Sequence, residues 1–73
     1  MGDVMNRVRH IPRGMRRELL EEWVFSGKER QIAADKLLDE DVTYDELAEK
    51  YGYSVKRVQD IVRKAVEAIE GRF

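Results

Sequence analysis

The chain has 73 residues, no cysteine, one histidine and one proline, and 40% of its residues are charged. At this length only about 60% of the unfolded surface can be buried, and without cysteine there is no disulfide or cysteine-based zinc site to reinforce a small core. No apolar run nears the ~20 residues that span a bilayer, the mean hydropathy is −0.63, and the basic start has no apolar segment of a secretory signal; a single soluble, cytoplasmic domain is expected.

Catalysis is not expected. Ser26, Thr43 and Ser54 are the only serine or threonine hydroxyls, and the single histidine, His10, lies in a basic stretch. The sequence contains no P-loop, no GxGxxG and no HExxH. Asp39, Glu40 and Asp41 cluster but lack the spacing of a calcium loop. No catalytic residue, metal ligand or cofactor is therefore assigned.

The formal net charge of −1 hides a division along the chain. Residues 1–17 carry five arginines against Asp3 alone, residues 18–53 four cations against eleven acids, and residues 54–73 five cations against three acids. Two basic ends around an acidic middle point to an anionic partner, most simply nucleic acid.

The elements in chain order are all helical. Residues 1–11 read as a flexible basic arm, one able to follow a DNA backbone or minor groove, and residues 12–73 as one domain. Pro12 suits the first turn of a helix, where its missing N–H is not needed. Met15, Leu19 and Trp23 then recur every four residues with Leu20 and Val24 beside them, which predicts a helix over 12–25 with that stripe in the core. Ser26 and Glu29 have capping-box spacing and open a helix over 27–39. Its Ile32, Ala33, Ala34, Leu37 and Leu38 face inward.

Thr43 and Glu46 form a second capping box, with Val42 and Leu47 at the spacing of a hydrophobic staple, predicting a helix over 44–51. Gly52 closes it in the conformation that glycine adopts most easily. Ser54 is the next N-cap, and Val55, Val58, Ile61, Val62, Ala65, Val66 and Ile69 carry a helix over 55–70. Two helices joined by a short glycine turn make a helix-turn-helix. Ala48 stands where they cross, and Val58 and Ile61 lock the second onto the first. The expected fold is an all-α domain of about four helices with a C-terminal helix-turn-helix.

The stretch from Tyr44 to Ile61, with Leu47, Ala48, Tyr51, Gly52, Tyr53, Val58 and Ile61 in place, resembles the helix-turn-helix signature of DNA-binding regulators. Within that group, residues 28–70 are similar to region 4 of bacterial sigma factors and their phage-borne relatives. The resemblance implies a recognition helix entering the major groove and RNA polymerase as a further partner. Val55 and Asp60 depart from the residues common at their positions in primary sigma factors, which implies a target other than the standard promoter element.

On a recognition helix starting at Ser54, the positions left facing outward are Val55, Lys56, Arg57, Gln59, Asp60, Arg63 and Lys64. Arg57 suits a guanine edge, Gln59 an adenine edge and Val55 a thymine methyl. Arg63 and Lys64 suit phosphates. Thr43 and Ser54 stand at helix N-termini, where hydroxyls and free N–H groups bind phosphate oxygens. Tyr44 is the tyrosine expected to be exposed and to hydrogen-bond a DNA phosphate, while Tyr51 and Tyr53 pack. The wide apolar face from Val62 to Ile69 must be covered either by the N-terminal helix or by a second copy in a homodimer.

The sequence therefore predicts a non-enzymatic, sequence-specific regulator binding double-stranded DNA, bacterial or phage. Two alternatives stay open: a module that binds RNA polymerase or another protein, and the DNA-recognition component of a phage packaging or recombination complex. No membrane partner is expected.

Overall fold

The computed structural model describes residues 4–21, 27–39 and 41–72. Among these the chain forms an N-terminal 3-10 turn, Val4–Arg7, and four α-helices with no strand: α1 (Arg13–Glu21), α2 (Gly27–Leu38), α3 (Tyr44–Tyr51) and α4 (Val55–Arg72). The Trp23 end of the expected first helix and the Ser26 cap lie outside the described residues.

The N-terminal segment differs from the flexible arm expected for 1–11. Val8 and Ile11 are 0% and 1% exposed and belong to the core. They lie three apart on a tight turn closed by the Ile11 N–H donating to the Val8 carbonyl at 2.9 Å, so both side chains leave on one side. Arg7 pairs with Glu70 near the end of α4, which pins this elbow over the last turns of that helix. The 3-10 turn and α1 both pack against α4, whose Val62, Ala65, Val66 and Ile69 are all buried. The apolar face that invited a second copy is thus closed within the chain.

Helix α1 is rotated from its expected setting. Met15 is 41% exposed and Leu19 only half-buried, while Arg16 and Leu20, at i and i+4, face inward. The reason is Arg16, whose side chain is 3% exposed. Its Nε donates to the Ile11 carbonyl and its Nη1 to the Leu37 carbonyl, each at 2.9 Å. An arginine is always charged and carries five N–H donors in a rigid fork, so it can be buried only where acceptors meet that fork. Leu37 lies in the last turn of α2, where carbonyls lack helical partners and the helix end is partly negative.

A second arginine does the same at the other end of the pair. Arg30 Nη2 donates to the Leu20 carbonyl at 3.1 Å and also to the Glu21 carbonyl, at the described end of α1. With Arg16 tied to the end of α2 and Arg30 to the end of α1, the two helices run antiparallel.

Helix α2 faces the core with Ile32, Ala33 and Leu37, and with Lys36, which is 5% exposed. The Lys36 Nζ donates to the Val42 carbonyl at 2.7 Å and lies 4.8 Å from the centre of the Tyr44 ring, a cation–π contact. The chain turns after Leu38 through Asp39, whose carboxylate accepts the Asp41 N–H at 3.1 Å, a local bond that favours turns over helix.

Asp35 then ties α2 to α3. Its Oδ2 accepts the Tyr51 hydroxyl at 2.6 Å and the Lys50 Nζ at 3.3 Å. The Asp35 bond holds the Lys50 ammonium above its ordinary range, and partial burial, aided by Asp35, pushes the Tyr51 hydroxyl up. Among the described residues no buried side-chain nitrogen or oxygen lacks a partner.

Replacing Arg16 tests its role. Arg16→Ala leaves the Ile11 and Leu37 carbonyls without their partner, at about 1–3 kcal/mol for each buried group. Urea unfolding followed by circular dichroism should show a loss of about 3 kcal/mol, against roughly 7 kcal/mol for a domain of this size. Arg16→Lys, with its charge but no fork, should lose less than Arg16→Ala and still fall below wild type.

Candidate nucleic-acid interface

The α3 cap forms as its sequence predicts. Thr43 is extended (φ −93°, ψ 160°), its Oγ1 accepts the Glu46 N–H at 3.1 Å, and Glu46 Oε1 accepts the Thr43 N–H at 3.3 Å. Leu47 and Ala48 are the buried residues of this helix. Its end is closed by Gly52 at φ 73°, the one described residue with positive φ. Both the Gly52 and Tyr53 N–H groups converge on the Ala48 carbonyl, the latter at 3.0 Å. The chain is thereby reversed within three residues, Gly52 to Ser54.

Ser54 restarts the helix: its Oγ accepts the Arg57 N–H at 3.1 Å and its carbonyl accepts the Val58 N–H at 3.0 Å. From there α4 divides into two faces. Val58, Ile61, Val62, Ala65, Val66 and Ile69 are buried to 3% exposure or less. Val55, Lys56, Arg57, Gln59, Arg63 and Lys64 are exposed and Asp60 is half-buried. Since helical neighbours lie at i+3 and i+4, locking one face fixes the direction of the other. The side chains expected to read DNA are thus held on one rigid helix and turned to solvent.

Their electrostatics are uneven. Arg63 pairs with Asp60 at 3.2 Å, one turn back on the same helix, the arginine exposed and the carboxylate half-buried. Arg57 Nη2 pairs with Glu29 Oε1 at 2.6 Å, reaching across to α2. Among the described residues Lys56 and Lys64 have no ion-pair partner.

Thr43 and Tyr44 stand apart from this group. They open α3, an eight-residue helix about 12 Å long, whose far end leads into the turn. The Thr43 hydroxyl accepts from the Glu46 N–H and donates to Glu46 Oε1 at 3.1 Å, so a carboxylate already occupies the space beside that helix end. Tyr44 is half-buried, with the Lys36 ammonium over its ring. Asp45, Glu46 and Glu49 are exposed on α3, as are Asp39 and Asp41 before it. An acidic surface therefore adjoins the polar and cationic face of α4.

The Glu29 carboxylate reaches an arginine 28 positions away, while its expected capping partner, Ser26, lies outside the described residues. No local spacing carries that signal.

The turn gives a clean test. A Cβ on Gly52 would meet nothing within 4 Å, so a substitution there perturbs the backbone alone. Gly52→Ala should lose about 1–2 kcal/mol in thermal or urea unfolding, the penalty for a left-handed conformation, and Gly52→Asn should lose less.

Among the described residues no group of three or more histidine or acidic side chains is placed to hold a metal ion, and no helix is long and apolar enough to cross a membrane. Comparison with family models, curated proteins and solved structures returns no match.

Proposed function

We propose that this chain is a non-enzymatic, sequence-specific DNA-binding protein, a small transcriptional regulator of bacterial or phage type. In this reading the α3–α4 pair is a helix-turn-helix of the sigma-region-4 kind, and the first half of α4 reads the major groove. The observation that carries it is the polar face of α4, where Lys56, Arg57, Gln59, Arg63 and Lys64 all point to solvent from a helix whose other face is buried.

The chemistry follows from that face. A helix fits the major groove, and its N-terminal residues meet base edges. Arg57 offers paired donors to guanine, Gln59 matches adenine, and Val55, 36% exposed, meets a thymine methyl. Arg63, Lys64 and Lys56 neutralise phosphates, and the free N–H groups after Ser54 add to them. The acidic face of α3 favours the same approach, because phosphates repel Asp45, Glu46 and Glu49 and leave α4 as the side that can advance. Thr43 and Tyr44 then contribute little.

That acidic face also supports a second reading, in which the chain binds RNA polymerase or another protein through a basic partner surface. A homodimer remains compatible with either reading, although α4 does not need one to cover its apolar face.

Fluorescence anisotropy with a mixed-sequence duplex of about 25 base pairs, titrated at several salt concentrations, tests the first reading. Log K should fall linearly with log salt, by about 0.9 for each phosphate neutralised. Lys56→Gln, Arg57→Gln, Arg63→Gln and Lys64→Gln together should flatten that slope by about 3 and weaken low-salt binding at least tenfold. No binding by the folded wild type at low salt would overturn it and leave the protein-binding reading in front.

A further inference from the structure

We propose that Glu29 is a positioning residue that fixes the Arg57 guanidinium at the reading end of α4, and so sets discrimination between DNA sequences rather than overall affinity. This rests on the DNA-binding function proposed above.

Two anchors hold Arg57. Its backbone N–H is the one that the Ser54 hydroxyl caps, which fixes the start of the side chain. The other end is held by Glu29 at 2.6 Å. The Glu29 side chain is only 16% exposed whereas Arg57 is 50% exposed, so the acid sits largely out of solvent while half of the arginine still faces outward. A guanidinium has five donors in one plane. With Nη2 engaged by Glu29, one corner of the plane is held, its swing is restricted, and donors remain for a base edge. An arginine so arranged has less freedom to lose when it meets its base, and a wrong base cannot be accommodated by swinging the side chain.

The other cations of the face have no such support. The Arg63–Asp60 pair joins two side chains that are 53% and 37% exposed on one helix, an arrangement that water and salt weaken. Lys56 and Lys64 are point charges on flexible stems, suited to phosphates. Nor is the Glu29 pair needed to join α2 to α4, because Ile32, Ala33 and Leu37 of α2 and Val58, Val62 and Ala65 of α4 share one buried core. A half-exposed ion pair adds little stability to that, and its consequence is the geometry of Arg57.

The experiment uses the full chain. A preferred duplex is first selected from a random library, and binding to it and to unrelated DNA is compared for wild type, Glu29→Ala, Arg57→Ala and the double variant. Glu29→Ala should reduce the ratio of preferred to unrelated binding about tenfold, the scale of one paired base contact. Unrelated DNA should bind as well or better, since one negative charge is gone. Glu29→Gln, which keeps the shape and weakens the attraction, should fall between, and the double variant should discriminate no worse than Arg57→Ala.

An unchanged ratio, or losses that add in the double variant, would overturn the proposal. A measurement on the free protein bears on the same point. The Arg57 Nε–H should show an order parameter near that of rigid backbone, about 0.85, and Arg63 one below about 0.6; equal mobility of the two would overturn the proposal without any DNA. Wild type that binds no duplex at all would overturn the DNA reading and this inference together, an outcome distinct from binding with an unchanged ratio.

Discussion

A charged guanidinium taken out of water has to find acceptors for its N–H groups, and in this chain that requirement organises the amino-terminal half. Arg16 satisfies it with the Ile11 carbonyl on one side and the Leu37 carbonyl on the other. Those two bonds fix the rotation of α1, hold the elbow that carries Val8 and Ile11, and close the open end of α2. Arg30 repeats the pattern at the described end of α1, and Lys36 reaches the Val42 carbonyl in the loop that follows its own helix. Helix ends that would otherwise need water are bound by cations from neighbouring helices. A domain this small can therefore turn its chain sharply without orphaning backbone groups.

From that frame the route to α4 is short. Val42 leads into the Thr43 cap, α3 is held to α2 through Asp35, and Gly52 reverses the chain onto Ser54. The two caps and the glycine turn are local, the Asp35 bond spans 16 residues, and the outward face of α4 is set by the buried face below it. The charges separate along the same lines: carboxylates cover α3 and the loop before it, and cations rise from α4. This separation is what a near-neutral chain needs if it is to approach an anionic polymer from one side only. Glu29 is an exception in register with the rule, an acid set against the cationic face where it engages Arg57.

Much of the fold was legible because its signals are local. The Thr43–Glu46 box, the Gly52 turn, the Ser54 cap and the apolar period of α4 all depend on residues within a few positions of one another. What escaped was long-range or disguised. Met15, Leu19 and Trp23 formed the more regular apolar stripe, yet α1 turns Arg16 inward because the carbonyls it meets lie 5 and 21 residues away. Val8 and Ile11 were hidden among arginines and read as part of a solvated arm, although their three-residue spacing is that of one side of a tight turn. At the site, exposure of Val55, Lys56, Arg57, Gln59, Arg63 and Lys64 followed from the period of α4 alone. The engagement of Thr43 by Glu46 followed from the capping box that marked it. The Arg57–Glu29 pair had no local trace, since capping logic gave Glu29 another partner.

The central claim is that the first half of α4 is the surface that meets DNA. A two-dimensional NMR titration of the isotope-labelled protein with a short duplex tests it most directly. The account predicts amide shifts and broadening concentrated from Ser54 to Lys64, with the Asp45, Glu46 and Glu49 amides of α3 nearly unmoved. Perturbations centred on α3 and the Asp39–Asp41 loop, or none anywhere in the folded protein, would contradict it.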